Sequence, residues 1–555
     1  MIERPFSWER SYPAGVRWDA PIAASTVPAL FDAAVRAYGP RTAIDFRGRA
    51  ILYAELGRAV DRLAAALLRA GIGPGGALAI HLPNTPDLPI AFFAGARTGA
   101  RVVMLSPLDG ERVLAHKLRD SGARMMIASD RAELLPAALR LLDAGHLDRV
   151  IVAEEAAWGD AAEPGAEIDF DTRLQRLADF TEGTVPPAAW PAVVPSDLAL
   201  LQYTGGTTGL PKGAMLTHAN LTVAVGMYNE WLNGQGATHP GKERVLCVLP
   251  LFHIYGLTTI LLRHLDNGNV ILLRTRFDVE RTLHDIEVGR ATCFQGVPTM
   301  WIALANHPGI ERRDLSSLRY CSSGGAPLPL EVAQRFERLT GRRLGGGWGM
   351  TETSPAGTHR PVAGPAKPGS IGLPLPGIEI AIVALDDPRR ILPPDTVGEI
   401  AIKGRNVTAG YWNRPEESAA AFAGVYFLTG DVGRMDADGY VFLVDRKKDM
   451  IISGGFNVYP QMIEQAIYEH PDVTEALVVG VADPYRGEAA KAFVTLRVGA
   501  PPLTLDALRQ FLRDKLGRHE LPAALEIREA LPRTAVGKLS RLALREEERR
   551  RQPAV

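Results

Sequence analysis

Short apolar runs, each followed by a helical pattern or a Gly/Pro turn, recur as far as Cys321 and limit what this chain can build. They are Ala77 to Leu82, Arg101 to Leu105, Met125 to Ala128, Val150 to Ala153, Leu198 to Tyr203, Val245 to Leu249, Val270 to Leu273 and Leu318 to Cys321. A strand that is apolar on both faces needs cover on both, and helices packed above and below a mainly parallel sheet provide it. One such helix is legible, because Leu56, Val60, Leu63 and Leu67 share a face and Gly71 supplies a stop. The pattern then changes twice. Gly and Pro become dense from Gly364 to Gly377. The runs Glu379 to Ala384, Gly398 to Lys403 and Gly439 to Val444 then read as β structure, with DADG at Asp436 to Gly439 as a hairpin turn. After the charged strip Asp445 to Asp449 come two strand-like runs, Ala476 to Val481 and Ala492 to Val498. A helix with Leu505, Leu508, Leu512 and Leu516 on one face follows them. About 110 residues is enough for a small α+β unit with its own core.

At 555 residues, and roughly 100–200 per domain, three or four compact units are expected. The 62 Lys+Arg and 63 Asp+Glu leave a net charge of −1, so there is no electrostatic footprint for nucleic acid or for an anionic membrane. Cys247, Cys293 and Cys321 lie far apart with no CxxC pair, which argues against a disulfide scaffold and a cysteine zinc site and fits a reducing compartment. The start, MIERPFSWER, has charges and a proline where a signal peptide needs an apolar run. No stretch of about 18 apolar residues is free of charge or proline. The expectation is a soluble, cytoplasmic protein with no nucleic-acid partner and no transmembrane segment. Peripheral membrane contact stays open, and nothing in the sequence sets an oligomeric state. The closing REEERRRQPAV reads as a solvated helix end in preference to a docking tail.

Gly71, Gly73 and Gly76 spell GxGxxG, but a helix precedes them and a strand follows, with Pro74 inside. A dinucleotide fingerprint needs the opposite order, so this is a turn. GxSxG and HExxH are absent, and Leu539 after Lys538 breaks the Walker pattern. The strongest signal is YTGGTTGLPKG, Tyr203 to Gly213, directly after an apolar strand. Gly205, Gly206 and Gly209 let the backbone approach an anion, Thr204, Thr207 and Thr208 add hydroxyl donors, and Lys212 adds a positive charge. Such a loop suits a triphosphate. A plain Gly/Thr surface loop is the competing reading.

Four more motifs follow in order: GMTET at Gly349 to Thr353, FLTGD at Phe427 to Asp431, DRKKDMIISGG at Asp445 to Gly455, and PRTAVGK at Pro532 to Lys538. Together the five resemble the adenylate-forming ligase superfamily of acyl-CoA synthetases, luciferases and peptide-synthetase adenylation domains. The resemblance runs from about residue 10 to 545 and is strongest to bacterial long-chain fatty-acid CoA ligases. It implies an α/β and α+β fold. A large N-terminal domain, residues 1–446, would hold two α/β subdomains and a β-rich subdomain, and a small mobile α+β domain, residues 447–555, would carry the catalytic lysine.

The same resemblance implies ATP, CoA and Mg²⁺, and assigns roles residue by residue. Gly324, Gly325 and Ala326 would lie along the adenine and acyl pocket, and Trp348, among Gly347, Gly349 and Met350, would stack on adenine. Trp348 is a departure, since the family more often has Tyr there. Thr351 and Glu352 would meet the α-phosphate and Mg²⁺, with Thr207 sharing the metal, and oxygen donors are what a hard cation takes. Asp431 would accept the ribose hydroxyls and Arg446 would approach the ribose. Lys448 falls on the hinge position, and Ser453, Gly454 and Gly455 would line the route of the CoA arm. His253 is either a gate near the acyl site or a satisfied core histidine. Lys538 would stabilise charge growing between the attacking carboxylate and the α-phosphate.

The reaction implied is AMP-forming acyl-CoA synthesis. A carboxylate attacks the ATP α-phosphate to give acyl-adenylate and pyrophosphate, and the CoA thiol then releases acyl-CoA and AMP. The acyl pocket is expected around His253 to Leu257, Val297 to Trp301 and Gly324 to Ala326. A medium- or long-chain fatty acid comes first, and an aryl, alicyclic or dicarboxylic acid is the alternative. Loading of a carrier protein in trans and a luciferase-type oxidation are the rival classes.

Overall fold

The computed structural model of the chain describes residues 4–159, 163, 165–204, 211–362, 367–453, 456–534 and 537–551. Among them the strands form four sheets. In the first, the spatial order is Leu174–Arg176, Arg149–Ala153, Met125–Ser129, Ala77–His81, Arg101–Met104, Leu198–Thr204 and Lys212–Thr217. All neighbours are parallel except the last pair, which is antiparallel. The second sheet is built round the parallel strands Leu344–Trp348, Tyr320–Ser323, Cys293–Gly296, Arg244–Cys247, Val270–Leu273 and Thr42–Phe46. Each of the eight apolar runs forms a strand, shifted by up to two residues at its ends.

Thr42–Phe46 was not legible as a strand, because Asp45 interrupts its short apolar run. It pairs with Val270–Leu273, so the chain starts in the second sheet, builds the first, and returns. The helix Tyr53–Arg69 buries Leu56, Val60, Leu63 and Leu67, as the spacing requires. The GxGxxG segment is a turn, with Gly71 and Gly75 at φ of +83° and +79°.

The third sheet is antiparallel and contains Glu379–Val383, Gly398–Lys403, Tyr426–Met435 and Val441–Arg446. Its last hairpin closes at Asp436 to Gly439, where Gly439 takes φ +84°. The fourth sheet holds Ile451–Ser453, Phe456–Val458, Val473–Asp483, Gly487–Leu496 and Ala524–Ile527. It packs with the helices Pro460–Tyr468 and Leu505–Leu512 around a core of its own that includes Ile463, Ile467, Val478 and Leu508. The second helix stops at Leu512, so Leu516 reaches this core from beyond its end.

The tail corrects its sequence reading. Arg541–Arg551 is a helix with Leu544 fully buried. Arg545 pairs with Asp449, Glu547 with Arg528 and Arg551 with Glu526, each at 2.8 Å. Opposite charges wait on the neighbouring strand and turn, so one side of this helix is tied down, while Leu542, Ala543, Glu546 and Arg549 to Arg551 are exposed. The three cysteines are free and buried. No helix among the described residues is long and apolar enough to cross a membrane.

Candidate active site

The Gly/Thr loop joins two antiparallel strands whose last pair is Thr204 and Lys212. It is therefore the tip of a hairpin, and the next helix begins only at His218. The first helix after the loop is thus a whole strand away, and Lys212, at the start of that strand, is a cation beside the loop. Gly205, Gly206, Thr207, Thr208 and Gly209 lie outside the described residues. The Lys212 ammonium pairs with Glu417 and lies over the Tyr411 ring, 5.5 Å from its centre.

Glu352 sits in the short turn Thr351–Thr353 that follows the Leu344–Trp348 strand. It is only 5% exposed, and the Tyr411 hydroxyl donates to its Oε1 at 2.9 Å. Burial raises its pKa, while the Tyr411 bond and the Arg446 charge oppose the rise. Asp431 lies 2% exposed on Tyr426–Met435. The Trp348 indole N–H donates to its Oδ2 at 2.7 Å. Its Oδ1 stands 2.9 Å from Arg446 Nε, a pair set by the strand register Asp431↔Arg446. That approach is not aligned as a hydrogen bond, so Oδ1 is buried with acceptor capacity to spare. A ribose hydroxyl is the kind of donor it lacks.

Two glycines have a reason independent of any ligand. A Cβ on Gly347 would lie 2.0 Å from Thr358 O, and one on Gly349 1.5 Å from Pro355 O, so the neighbouring chain excludes side chains there. Met350 and Thr351 beside them are half-buried, as is Ala326.

Lys538 reaches this region from the far end of the chain. A Cβ on Gly325, itself at φ +76°, would lie 2.7 Å from Lys538 Cε and 3.0 Å from Nζ, so the lysine stem lies directly over that glycine. Its turn is fixed by Lys538 N donating to Thr534 Oγ1 at 3.2 Å, and Thr299 Oγ1 donates to Gly537 O at 3.1 Å. Burial, then the Arg446 charge, lowers the ammonium pKa to about 8, with Asp431 opposing. Burial and the Lys538 charge push His253 down to about 3, so its ring is neutral at pH 7. His253 Nδ1 accepts the Tyr255 N–H at 3.2 Å. The Tyr255 ring lies against Gly324, and its hydroxyl is 3.3 Å from Ser322 Oγ.

Lys538, Asp431, Arg446, His253 and the Gly324–Gly325 turn thus form one neighbourhood, and Trp348, Glu352 and Lys212 join it through Asp431 and Tyr411. Lys448 is exposed in the turn between the third and fourth sheets, at the edge of this neighbourhood, where the charges of Arg446 and Asp431 reach it. Ser453 is buried in the fourth sheet, paired with Phe456 and Gly487, and Gly454 and Gly455 lie outside the described residues. Tyr411 and Glu417 were missed, and Tyr255 was included only as part of the segment His253 to Leu257. Their partners lie 59, 205 and 67 residues away, which no local pattern reveals.

The residues present suit Mg²⁺ and a nucleotide. Among the described residues no group of three His, Cys, Asp or Glu could cage a metal. One buried carboxylate, Glu352, matches a cation held mainly by phosphate and water oxygens. Residues 31–412 match the AMP-binding enzyme family, and residues 462–538 match the AMP-binding enzyme C-terminal domain. The chain belongs to the AMP-binding enzyme family. Among similar AMP-binding enzymes, a long-chain-fatty-acid–CoA ligase of Bacillus subtilis (strain 168) is 37% identical, with 98% of each chain covered. A feruloyl-CoA synthase of Amycolatopsis sp is 39% identical over 92% of this chain and 96% of its own. The crystal structure of ATP-bound MatB from Rhodopseudomonas palustris superposes with a TM-score of 0.84 at 28% identity, covering 94% of this chain and 99% of that one. This AMP-binding enzyme is accordingly an AMP-forming acid–CoA ligase that works with ATP and CoA.

Proposed function

We propose that this ligase activates a medium- or long-chain fatty acid, with residues 1–446 binding nucleotide and acid and residues 447–555 carrying Lys538 to and from them. The observation that carries the reading is Lys538 lying over Gly325, within reach of the charges of Asp431 and Arg446 and near His253. A cation there meets the charge that develops as a carboxylate attacks the α-phosphate. Asp431 holds the ribose, Trp348 offers a flat face to adenine, and Lys212 with the Gly/Thr loop takes the β- and γ-phosphates. Glu352, with Thr207, would hold Mg²⁺, which would neutralise phosphate charge, and Thr351 would meet the α-phosphate. In the second half Lys538 withdraws, and Ser453, Gly454 and Gly455 line the path by which the CoA thiol displaces AMP. Neutral His253 stands by the acyl site as a gate. The three buried free thiols fit a reducing cytoplasm.

The fatty-acid reading is supported by the full-length likeness to the Bacillus subtilis ligase. An aryl acid is the second reading, favoured by the feruloyl-CoA synthase likeness and by the aromatic groups near the expected acyl segments, Tyr255 and Trp301. The test is AMP release by purified protein with ATP, Mg²⁺ and a panel of fatty, aryl, alicyclic and dicarboxylic acids, with and without CoA. The highest kcat/KM on a fatty acid, dependent on CoA, is the expected result. Preference for a cinnamic-type acid selects the second reading, and turnover only with a carrier protein, or light emission, overturns both.

A further inference from the structure

Tyr411 stands between the two groups on which phosphate and metal handling would depend. Its hydroxyl donates to Glu352 Oε1 at 2.9 Å, and its ring lies 5.5 Å from the Lys212 ammonium. The backbone around it is stitched to both. Met215 N donates to Gly410 O at 3.0 Å and Trp412 N to Gly213 O at 2.8 Å, so the segment runs along the strand that begins at Lys212. Thr408 N donates to Glu352 O at 2.7 Å, and Thr408 Oγ1 to Met215 O at 2.6 Å. Residues 408–412 are therefore a strap joining the end of the Gly/Thr hairpin to the Glu352 turn. The helix Pro415–Ala420 then brings Glu417 onto Lys212.

We propose that Tyr411 is a positioning residue that couples the loop cation Lys212 to the carboxylate Glu352, so that one side chain sets where phosphate and its divalent cation meet. The assignment rests on the adenylation reading above. The hydroxyl fixes one oxygen of Glu352 and so aims the other. The ring gives Lys212 an aromatic face that remains when the ammonium exchanges Glu417 for phosphate, and such a contact is weak enough to allow the exchange. A tyrosine supplies both functions at once. Phenylalanine supplies only the second, and leucine neither.

The test is ATP binding to the intact protein by calorimetry, without acid or CoA, in chelator and across a Mg²⁺ titration. In Tyr411→Phe the Mg²⁺ needed for half-maximal ATP binding should rise about tenfold, the scale of one hydrogen bond to a charged group. Its ATP affinity in chelator should stay within about twofold of wild type, and Tyr411→Leu should lose about a further threefold there. Glu352→Gln and the double variant Tyr411→Phe/Glu352→Gln should share one Mg²⁺ dependence, because the hydroxyl acts through that carboxylate. Thermal melting accompanies each variant, and a purely structural role would lower melting and weaken both kinds of binding together. Wild-type Mg²⁺ dependence in folded Tyr411→Phe overturns the proposal, as do fully additive effects in the double variant. The titration stands apart from turnover. Normal coupling in a protein that makes no acyl-CoA from any acid would refute the ligase reading and leave Tyr411 supported.

Discussion

Lys538 carries a charge that burial and Arg446 make easier to lose, with its pKa lowered to about 8. Adenylation needs the ammonium, so kcat/KM for pyrophosphate release should fall as pH rises through about 8, well before an ordinary lysine would titrate. Neutral His253 adds no limb in that range. Lys538→Ala should lose about a hundredfold or more in adenylation, and the falling limb with it. Given ready-made acyl-adenylate, the same variant should still form acyl-CoA; equal loss of both halves in a folded variant contradicts the reading. The stability sign is opposite to that of activity. The unfolded lysine holds its proton up to 10.5 and the folded one only to about 8, so the unfavourable contribution is full below 8 and is relieved as pH rises through that window. Trp348 allows a second residue-scale test. Trp348→Phe keeps a stacking face but leaves Asp431 Oδ2 buried without its indole donor. Nucleotide affinity should fall about tenfold, the cost of an unsatisfied buried acceptor. The preference for ATP over 2′-deoxyATP, measured by direct binding, should shrink too, because a loosened Asp431 reads the ribose less well. An undiminished preference would confine Trp348 to stacking.

Between the third and fourth sheets, the strip from Asp445 to Asp449 shows what a motif reveals and what it hides. The place of Lys448 in RKKD, two residues after Arg446, matches the hinge position that the family resemblance implies. The anchors that make this mechanically sensible come from distant residues and were invisible. Lys447 N donates to Gly430 O at 2.9 Å and its ammonium meets Glu399 at 2.9 Å, holding it to the third sheet. Asp449 meets Arg545 at 2.8 Å and Arg541 at 3.3 Å, holding it to the C-terminal helix. Lys448 lies between the two attachments, where one residue can absorb a change in φ and ψ. Proline fixes φ near about −65° and also restricts Lys447 before it. Lys448→Pro should keep pyrophosphate-linked adenylation near normal and cut thioester formation severely, whereas Lys448→Ala should spare the second half. Single-turnover rates of each half-reaction decide the point. Equal, modest loss in both variants would move the pivot elsewhere in the strip.

At the scale of the molecule, the sheets were legible because their strands are short, apolar and regularly spaced, and the order of motifs announced the chemistry. Asp45 hid the first strand of the second sheet. The docked tail was hidden because REEERRR carries no record of Lys491, Glu526 and Arg528, the charges it meets. The same kind of pairing joins the two halves. Arg541, on the last helix, places Nη1 3.0 Å from Asp445 and 3.3 Å from Asp449, while its Nε donates to Glu464 at 2.9 Å. Asp445 is fully buried and also accepts Gln461 N at 2.6 Å. Arg541→Ala would leave Asp445 and Glu464 beside one another without their cation, while Asp449 keeps Arg545. Breaking such a buried cluster costs about 3–5 kcal/mol, because the charges left behind stay desolvated. The C-terminal core, built from Ile463, Ile467, Val478 and Leu508, is separate from the large N-terminal core, so the share of the cost at Glu464 and Asp449 should fall on the small domain and the share at Asp445 on the third sheet. At about 4–8 °C per kcal/mol for a domain of this size, calorimetry should show one transition lowered by ten degrees or more. The transition of residues 1–446 should move less, by the share that Asp445 carries. Because Asp445 lies in the last strand of the third sheet, the variant should also lose its preference for the arrangement that places Lys538 over Gly325, slowing adenylation more than thioester formation. A single transition that shifts as a whole would mean that the two cores melt as one and that the strip is a rigid joint.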